Sequence, residues 1–366
     1  MPQSPHPLLS ILIPVSSRTD LLAECLTSLH RHLPVDLPYE VIVVLNEITP
    51  ATATVLESRF PSVRFLRSPV NLGMAGSANR ARREASGRFL VTLHDDATIQ
   101  PGWAEALLDA AHRHPRAGAI GSKVLFTDGQ LQSAGAILWQ SGSTTPPWSG
   151  PAPNPEDVVA AQAVDYCGTC SLLIPAAVFD AIGGFDETIY PGYFVDVEFG
   201  LAIRSRGYYV LCEPRSLIRH HRHASSGKVL RAVAYARNRE YLLRKWATAI
   251  AAQVPGPGQA DAVETALRRA REFAAACETG SAVTIAPDVQ RMPDNEAGGG
   301  DAINRHYRLS RELTDAIVAR LEAAIESRDH ALARFRRMKV VRLYTAMLRY
   351  REAASTAVSR FFGPGK

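Results

Sequence analysis

The sequence contains few cysteines and no disulfide pattern. Its five cysteines are odd in number and irregularly spaced, which argues against a disulfide framework. Cys167 and Cys170 form a CxxC pair, but a structural zinc site needs a second ligand pair, and no second CxxC is present. We therefore favour two small buried residues beside a strand over a zinc or redox site.

Signals for export and membrane insertion are also missing. The first residues have neither the charged start nor the apolar stretch of a signal peptide. No run approaches the roughly 20 apolar residues that cross a bilayer. We therefore expect a cytoplasmic protein. No nucleic-acid-reading motif is present, so the net charge of +5 indicates an anionic small ligand or an anionic surface, and nucleic acid is not an expected partner.

The first third of the sequence alternates apolar runs with segments of helical periodicity. With 366 residues, of which 46% are hydrophobic, the chain is long enough for about two domains. The alternation predicts a parallel, doubly wound sheet. The predicted strands are 8–14, 41–45, 63–66 and 89–93, and the predicted helices are 21–30, 51–60 and a segment that starts after Asn71.

The rhythm changes after about residue 115. Mixed strands and helices follow as far as 228, among them the predicted strands 208–212 and 217–218. A long loop is predicted at 141–157, where Ser, Pro and Gly are frequent. From 229 onward the sequence is helical, with predicted helices at 229–250, 261–277 and 302–355.

Two adjacent carboxylates follow the fourth predicted strand. Asp95 and Asp96 come directly after the run 89–93, and open α/β sheets bind ligands at the carboxyl ends of their strands. Carboxylate oxygens suit Mg²⁺ or Mn²⁺, which commonly carry phosphate groups. We therefore predict a metal–diphosphate site here, although Asp-Asp alone is also typical of a surface turn.

A glycine-rich turn precedes that strand. Asn71, Gly73 and Gly76 lie where a turn opens a helix. Glycine lets a backbone approach a ligand closely, and a helix N-terminus favours anions. Tight packing of the helix on the sheet would explain the glycines equally well, so this turn alone is weak evidence.

Further carboxylates and histidines lie in the second half. The segment 183–187, Gly-Gly-Phe-Asp-Glu, is followed by Asp196 and Glu198 near a predicted helix start. A carboxylate at a cleft edge can take a proton from an attacking hydroxyl, although acids are also common in the first turn of ordinary helices. The segment 219–223, Arg-His-His-Arg-His, follows a predicted strand. Imidazoles bind Mn²⁺ and contact phosphate, and a solvated basic loop is the alternative.

In this order, the four motifs resemble those of glycosyltransferase family 2, whose members have the GT-A fold. The resemblance covers residues 8–227 and lies in the series rather than in any single motif. Ile-Pro-Val at 13–15, Asn-Leu-Gly at 71–73 and the 183–187 segment fall in the family's order. The segment 196–198, Asp-Val-Glu, is most similar to bacterial rhamnosyl- and galactofuranosyltransferase-like members.

The resemblance implies an α/β architecture of the GT-A type. A catalytic domain at 1–228 would combine a Rossmann-like nucleotide-binding half, 1–115, with a mixed-sheet acceptor half, 116–228. A helical C-terminal region would follow at 229–366, with a mobile segment near 278–301.

The resemblance also implies the activity. It points to an inverting, metal-dependent transfer of a sugar from a UDP or dTDP donor to a hydroxyl of a glycan or lipid-linked acceptor, in cell-surface polysaccharide or glycoconjugate synthesis. Asp96 and His220 would hold Mn²⁺ or Mg²⁺, Asp196 would be the general base, and Glu198 would orient the acceptor or help hold the base. The residues that would bind the donor are Pro14, Ser16, Asn46, Asn71, Gly73, Asn79, Asp95 and Asp96. Those that would bind the acceptor are Trp148, Gly184, Phe185 and Asp186.

Three positions depart from the family pattern. Leu45 stands where a nucleoside-binding acid is usual, His94 replaces the first carboxylate of the metal motif, and Val195 replaces an acid beside Asp196. These substitutions keep open a non-catalytic or weakly active protein that binds glycans or nucleotides. A nucleotidyltransferase is less favoured, because residues 14–18 do not form the basic, glycine-rich loop that it needs.

The C-terminal segment has two interpretations. Residues 334–351 interleave basic and apolar side chains, as in a helix on an anionic membrane surface, which would place the protein at the inner face of the cell membrane. We slightly favour a helix that packs on the catalytic domain or a partner. Residues 322–334 could form a short coiled-coil contact, which leaves a homo-oligomer open.

Overall fold

The computed structural model describes residues 7–289, apart from residue 149 and the segments 222–227 and 259–260. Across this described part, no helix is both long and apolar enough to span a bilayer.

The chain divides into two compact units, Met1–Ser310 and Arg311–Lys366. The second unit lies wholly outside the described residues. The helix predicted at 302–355 and the basic segment 334–351 also lie outside the described residues, as does the second half, 290–301, of the segment 278–301 that was predicted to be mobile.

The first half is a parallel sheet with helical crossovers, as predicted. Its elements are β1 (Leu9–Val15), α1 (Thr19–His32), β2 (Tyr39–Asn46), α2 (Pro50–Arg59), β3 (Arg64–Ser68), α3 (Gly73–Glu84) and β4 (Phe89–Leu93). The strands pair in the order β3-β2-β1-β4, all parallel. Strands β1 and β2 are apolar without alternation because both faces of the sheet are covered.

The chain after β4, called the second half below, makes the sheet mixed. Its strands are β5 (Ala97–Ile99), β6 (Ala117–Leu125), β7 (Leu131–Ser133), β8 (Ile137–Leu138), β9 (Thr144–Thr145), β10 (Gln162–Val164), β11 (Ser171–Pro175) and β12 (Tyr209–His220). Its helices are α4 (Trp103–Arg113), a short 3₁₀ helix (Pro155–Asp157), α5 (Ala176–Ile182) and α6 (Val195–Ser205). Strand β11 runs antiparallel between β4 and β6, and the main order is β10-β12-β6-β11-β4-β1-β2-β3, with β5 paired to β12 and β7 to β6.

Some predicted elements of this half were wrong. The two strands expected at 208–212 and 217–218 are one strand, β12, whose register against β6 shifts between Glu213 and Leu217. That irregularity interrupts the apolar pattern and made one strand look like two. The predicted loop 141–157 contains β9 and the 3₁₀ helix, both too short to leave a periodic signal.

Three helices follow the sheet within the residues that the structure describes. They are α7 (Lys228–Lys245), α8 (Ala247–Ala251) and α9 (Ala262–Thr279). The prediction of a single helix over 229–250 was wrong, because Trp246 leaves the helical conformation at φ −123° between α7 and α8. This break lets the indole pack into the core, where Trp246 is 1% exposed.

Helices cover both faces of the sheet. Alternate residues of β1 point to opposite sides, with Leu12 packing toward α3, α5 and α6 and Ile13 toward α1 and α4. Trp246 and Leu242 belong to the same core as α6. The sheet therefore holds the carboxyl ends of β1, β2 and β4 at one edge, beside the start of α6.

Candidate active site

A cavity of about 680 Å³ opens at this edge of the sheet. Its volume lies within the range of small-molecule sites, and its place is where open α/β sheets bind ligands. Pro14 and Ser16 line it from the end of β1, and Asn46 from the end of β2. Asp95 and Asp96 line it from the turn after β4.

The buried amide of Asn46 ties two walls of the cavity together. Its Nδ2 donates to the Val15 carbonyl oxygen at 3.2 Å, and its Oδ1 accepts from the Leu72 amide at 3.1 Å. Asn71 Oδ1 in turn accepts from the Gly73 amide at 2.9 Å. These bonds shape the turn between β3 and α3 that the sequence singled out.

Gly73 is required where this turn meets the second half of the chain. It has φ +64°, and a Cβ there would lie 2.6 Å from the Pro191 carbonyl oxygen. The same carbonyl accepts from the Met74 amide at 2.7 Å. Gly73 and Pro191 both line the cavity, so the two halves of the chain join at its wall.

His94, Asp96 and His220 form a cluster of metal-ligand type. Asp96 Oδ1 lies 3.0 Å from His220 Nε2 and 4.0 Å from His94 Nδ1, and the two ring nitrogens lie 3.4 Å apart. Neighbouring ligands on an octahedral ion at about 2.1 Å are about 3 Å apart. The three atoms therefore fit one face of such an ion with small adjustments.

Strand pairing brings these residues together. His220 ends β12 and pairs with Ala97 of β5, and the His221 amide donates to the Asp96 carbonyl oxygen at 3.1 Å. The His94 amide donates to the Cys170 carbonyl oxygen at 3.2 Å. His94 was only a departure from the family pattern at the sequence level, because the short strand β5 that aligns it with His220 leaves no clear signal.

The two adjacent carboxylates have pKa values that are shifted in opposite directions. Burial, together with the charge of Asp96, raises the pKa of Asp95 to about 7. Burial alone would raise the pKa of Asp96 as well, but the hydrogen bond and charge of His220, helped by His94, lower it. Asp96 is thus ionised at neutral pH, as a metal ligand must be, while Asp95 is partly protonated.

His94 is neutral under the same conditions. Burial and the neighbouring ring of His220 lower its pKa to about 4, against the opposing effect of Asp96. A neutral imidazole has a lone pair free for coordination, so His94 is in the form that a divalent cation needs.

Asp196 lines the cavity from the first turn of α6. Its Oδ1 accepts from the Val197 amide at 3.0 Å, and burial raises its pKa to about 6. Burial raises the pKa of the Cys170 thiol to about 12, and the negative charges of Asp196 and Asp96 add to this increase. Cys170 is therefore an unreactive wall residue, in line with the structural interpretation of the CxxC pair.

Glu198 lies in a buried ion pair instead of the cavity wall. Lys245 Nζ of α7 lies 2.6 Å from Glu198 Oε1 and 2.6 Å from Asp186 Oδ2. Trp246 Nε1 donates to the same Glu198 oxygen at 3.3 Å, and Tyr241 donates to Asp186 at 2.8 Å. Glu198 and Asp186 are each 2% exposed. Their shared ion pair with Lys245 therefore holds α6 and the 183–187 segment against α7.

The other predicted acceptor residues also lie apart from the cavity wall. Phe185 is fully buried between Phe179 and Phe199, and Gly184 has φ +74° with no room for a Cβ beside Asn79 Oδ1, at 2.5 Å. Trp148 packs partly buried against the core near the lining residues 144–146.

Asn79, predicted to bind the donor, also faces this interior. It exchanges hydrogen bonds with the Phe185 backbone at 2.9 Å, and it is not among the lining side chains. The remaining predicted donor residues, with Asp196 and His220, do line the cavity.

Helix α7 supplies contacts that sequence reasoning missed. Asn238, which is 1% exposed, donates to the carbonyl oxygens of Tyr190, Gly192 and Tyr193 at 3.3, 2.6 and 3.2 Å. Tyr193 has φ +58°, and the residue after it is also left-handed, so this loop needs support. The loop leads directly into Asp196, and a single asparagine within a polar helix gave no signal of this role.

The parallel half, the mixed half and the carboxylate–imidazole cluster between them define a GT-A fold. Residues 10–178, slightly less than half of the chain, match the model of Glycosyl transferase family 2. Among solved structures, the crystal structure of GalNAc-T7 with UDP, GalNAc and Mn²⁺ is similar, with a TM-score of 0.54 and 11% identity over 66% of this chain and 49% of that one.

Curated relatives are bacterial. The O-antigen biosynthesis protein RfbC of Myxococcus xanthus is 31% identical over 228 residues, which are 60% of this chain but 18% of that protein. The N-acetylglucosaminyl-diphospho-decaprenol L-rhamnosyltransferase of Mycobacterium tuberculosis (strain CDC 1551 / Oshkosh) is 28% identical over 218 residues, 54% of this chain and 71% of that protein. The chain thus spans less than a fifth of the RfbC protein's length.

Proposed function

We propose that the chain is an inverting, metal-dependent glycosyltransferase. It would move a sugar from a UDP or dTDP donor to a hydroxyl of a glycan or lipid-linked acceptor in cell-surface polysaccharide or glycoconjugate synthesis. The observation that carries the proposal is one cavity that contains both the His94–Asp96–His220 cluster and Asp196. The names of the Myxococcus and Mycobacterium relatives support the class of acceptor.

The cluster supports a divalent cation. His94, Asp96 and His220 would hold it, and when bound it would neutralise charge on the leaving diphosphate. Two of the three ligand atoms are imidazole nitrogens. Mg²⁺ prefers oxygen ligands, whereas Mn²⁺ accepts nitrogen as well, so we favour Mn²⁺.

Asp196 would act as the general base. A carboxylate with an ordinary pKa near 3.8 is a weak proton acceptor, and a pKa of about 6 makes Asp196 a stronger one that is still ionised at neutral pH. It would accept the proton of the acceptor hydroxyl as that oxygen attacks the anomeric carbon. A single displacement from the face opposite the diphosphate inverts the configuration.

Nucleotide binding and donor hydrolysis test the proposal without a known acceptor. Calorimetry with UDP and dTDP, with and without Mn²⁺, should show binding that needs the ion and that weakens at least tenfold in Asp96→Ala. Asp196→Asn should bind the nucleotide as the wild type does but lose donor hydrolysis and transfer.

The outcomes separate the two roles. Nucleotide binding that survives both EDTA and the Asp96 change would show that the metal assignment is wrong. Transfer by Asp196→Asn at the wild-type rate would show that the base assignment is wrong. Absence of any nucleotide binding would favour a protein that binds glycans without catalysis.

A further inference from the structure

Gln132 contacts the side of His220 that faces away from Asp96. Gln132 lies at the centre of β7, which pairs with the end of β6. Its Nε2 lies 3.1 Å from His220 Nδ1, while His220 Nε2 lies 3.0 Å from Asp96 Oδ1. The ring of His220 is therefore held at both nitrogens.

Four buried side-chain nitrogen or oxygen atoms of the described residues have no hydrogen-bond partner, and the amide oxygen of Gln132 is the one oxygen among them. Gln132 Oε1 is buried and has no hydrogen-bond partner within the described part of the chain. Leaving a buried polar atom unsatisfied costs about 1–3 kcal/mol, and an apolar side chain could fill the position without that cost. An amide at this position therefore needs a reason beyond packing.

The present contacts of His220 place the ring proton on the nitrogen that a cation would have to bind. When Gln132 Nε2 donates to Nδ1, the ring proton must be on Nε2, pointing to Asp96. A ring that binds a cation through Nε2 must carry its proton on Nδ1 instead. That proton needs an acceptor, and a half-turn of the Gln132 amide presents Oε1 to it.

We propose that Gln132 is a positioning residue that selects the metal-binding tautomer of His220. Its amide donates to Nδ1 in one state and accepts from Nδ1 in the other, so the ring keeps its orientation when a divalent cation arrives. His220 is 7% exposed at the end of β12 and its backbone is paired with Ala97, so the ring has little freedom to find another partner. This inference rests on the proposed function, because it requires a cation at His220.

Mn²⁺ affinity of the full chain, measured by calorimetry and by electron paramagnetic resonance, tests the proposal. Gln132→Met keeps the length of the side chain but neither donates nor accepts, and we expect Mn²⁺ binding to weaken about 10–100-fold, as is typical when such a partner is lost. Gln132→Glu accepts from Nδ1–H only, and we expect it to bind Mn²⁺ at least as tightly as the wild type. Gln130→Met, at an exposed position just before β7, is the matched control and should bind as the wild type does.

The tautomer itself provides a second measurement. Heteronuclear NMR of histidine-labelled protein with Zn²⁺, which is diamagnetic, should show the His220 proton on Nδ1 in the wild type and in Gln132→Glu. Gln132→Met should lose this single tautomer. Thermal melts without metal establish that each variant is folded.

Two results would overturn the inference while leaving the proposed function intact. One is Mn²⁺ binding by Gln132→Met within about twofold of the wild type, against the 10–100-fold range expected. The other is an equal loss in Gln132→Met and Gln132→Glu with an unchanged tautomer. A wild-type chain that binds no Mn²⁺ at all would instead overturn the metal role in the proposed function, and this inference with it.

Discussion

Replacing Asp196 by asparagine should stabilise the protein while abolishing transfer. Burial raises the pKa of Asp196 from an ordinary 3.8 to about 6. A difference of one pKa unit between the folded and the unfolded chain corresponds to about 1.4 kcal/mol. Ionised Asp196 would therefore lower the free energy of unfolding by up to about 3 kcal/mol. Because the side chain is partly open to the cavity, we expect the asparagine variant to gain about 2 kcal/mol at pH 7.

The sign of the pH dependence follows from the direction of the pKa change. Below pH 3.8 the carboxyl is protonated in both the folded and the unfolded chain, and it carries no penalty. Between 3.8 and about 6 the unfolded chain releases its proton first, so the folded state loses stability as the pH rises. The advantage of Asp196→Asn should therefore be small near pH 4.5, grow through pH 6 and be complete by pH 7.

Urea unfolding of the metal-free protein at several pH values measures this difference. The asparagine keeps an oxygen that can accept from the Val197 amide, so the local hydrogen bond is not lost. Asp186→Asn is the matched control, because Lys245 lowers the pKa of Asp186 despite its burial, and this variant should lose stability at neutral pH. A stability gain of Asp196→Asn that is the same at pH 4.5 and pH 7.5, or a loss at pH 7.5, would refute the reasoning.

Three further changes test other parts of the site. Lys245→Met should cost about 3–5 kcal/mol in urea unfolding, because it leaves two buried carboxylates without their cation; the exposed neighbour in Arg244→Met should cost under about 0.5 kcal/mol, and equal losses would contradict the ion pair. His94→Asp should raise Mg²⁺ affinity relative to Mn²⁺ in calorimetry, because an oxygen replaces a nitrogen ligand; an unchanged ratio would remove His94 from the ligand set. Asn238→Ala should lower the transfer rate at least about tenfold in steady-state assays with nucleotide affinity retained, because the loop before Asp196 loses its support; a normal rate would show that the loop holds its shape unaided.

The sequence predicted the first half of the fold well because three of its four strands, β1, β2 and β4, are buried on both faces. Continuous apolar runs such as 41–45 identify such strands directly, and the helices between them have clear periodicity. The second half was harder, since β5, β7 and β10 have three residues each. Strands this short leave too few positions for a pattern, yet β5 is what aligns Asp96 with His220.

The candidate site shows the same division. Residues at the ends of long strands, such as Asn46 and Asp96, were identified because their position follows from the strand. From motif order, Glu198 was predicted to orient the acceptor or help hold the base, and Asp186 to bind the acceptor. Their common partner, Lys245, lies 47 and 59 positions further along the chain. A motif reports residue type and order, whereas a buried counter-ion at such a distance is specified only by the packed structure.

The ion pair of Lys245 also determines where this protein can be cut or recombined. The family match ends at residue 178, before α6 and α7 begin. A gene fragment that stopped at 228 would retain Glu198 and Asp186 in the interior and discard the cation between them. An exchange of segments between related transferases should therefore keep α7 together with residues 183–205. Lys245 of α7 neutralises the buried carboxylates of Asp186 and Glu198 in that segment.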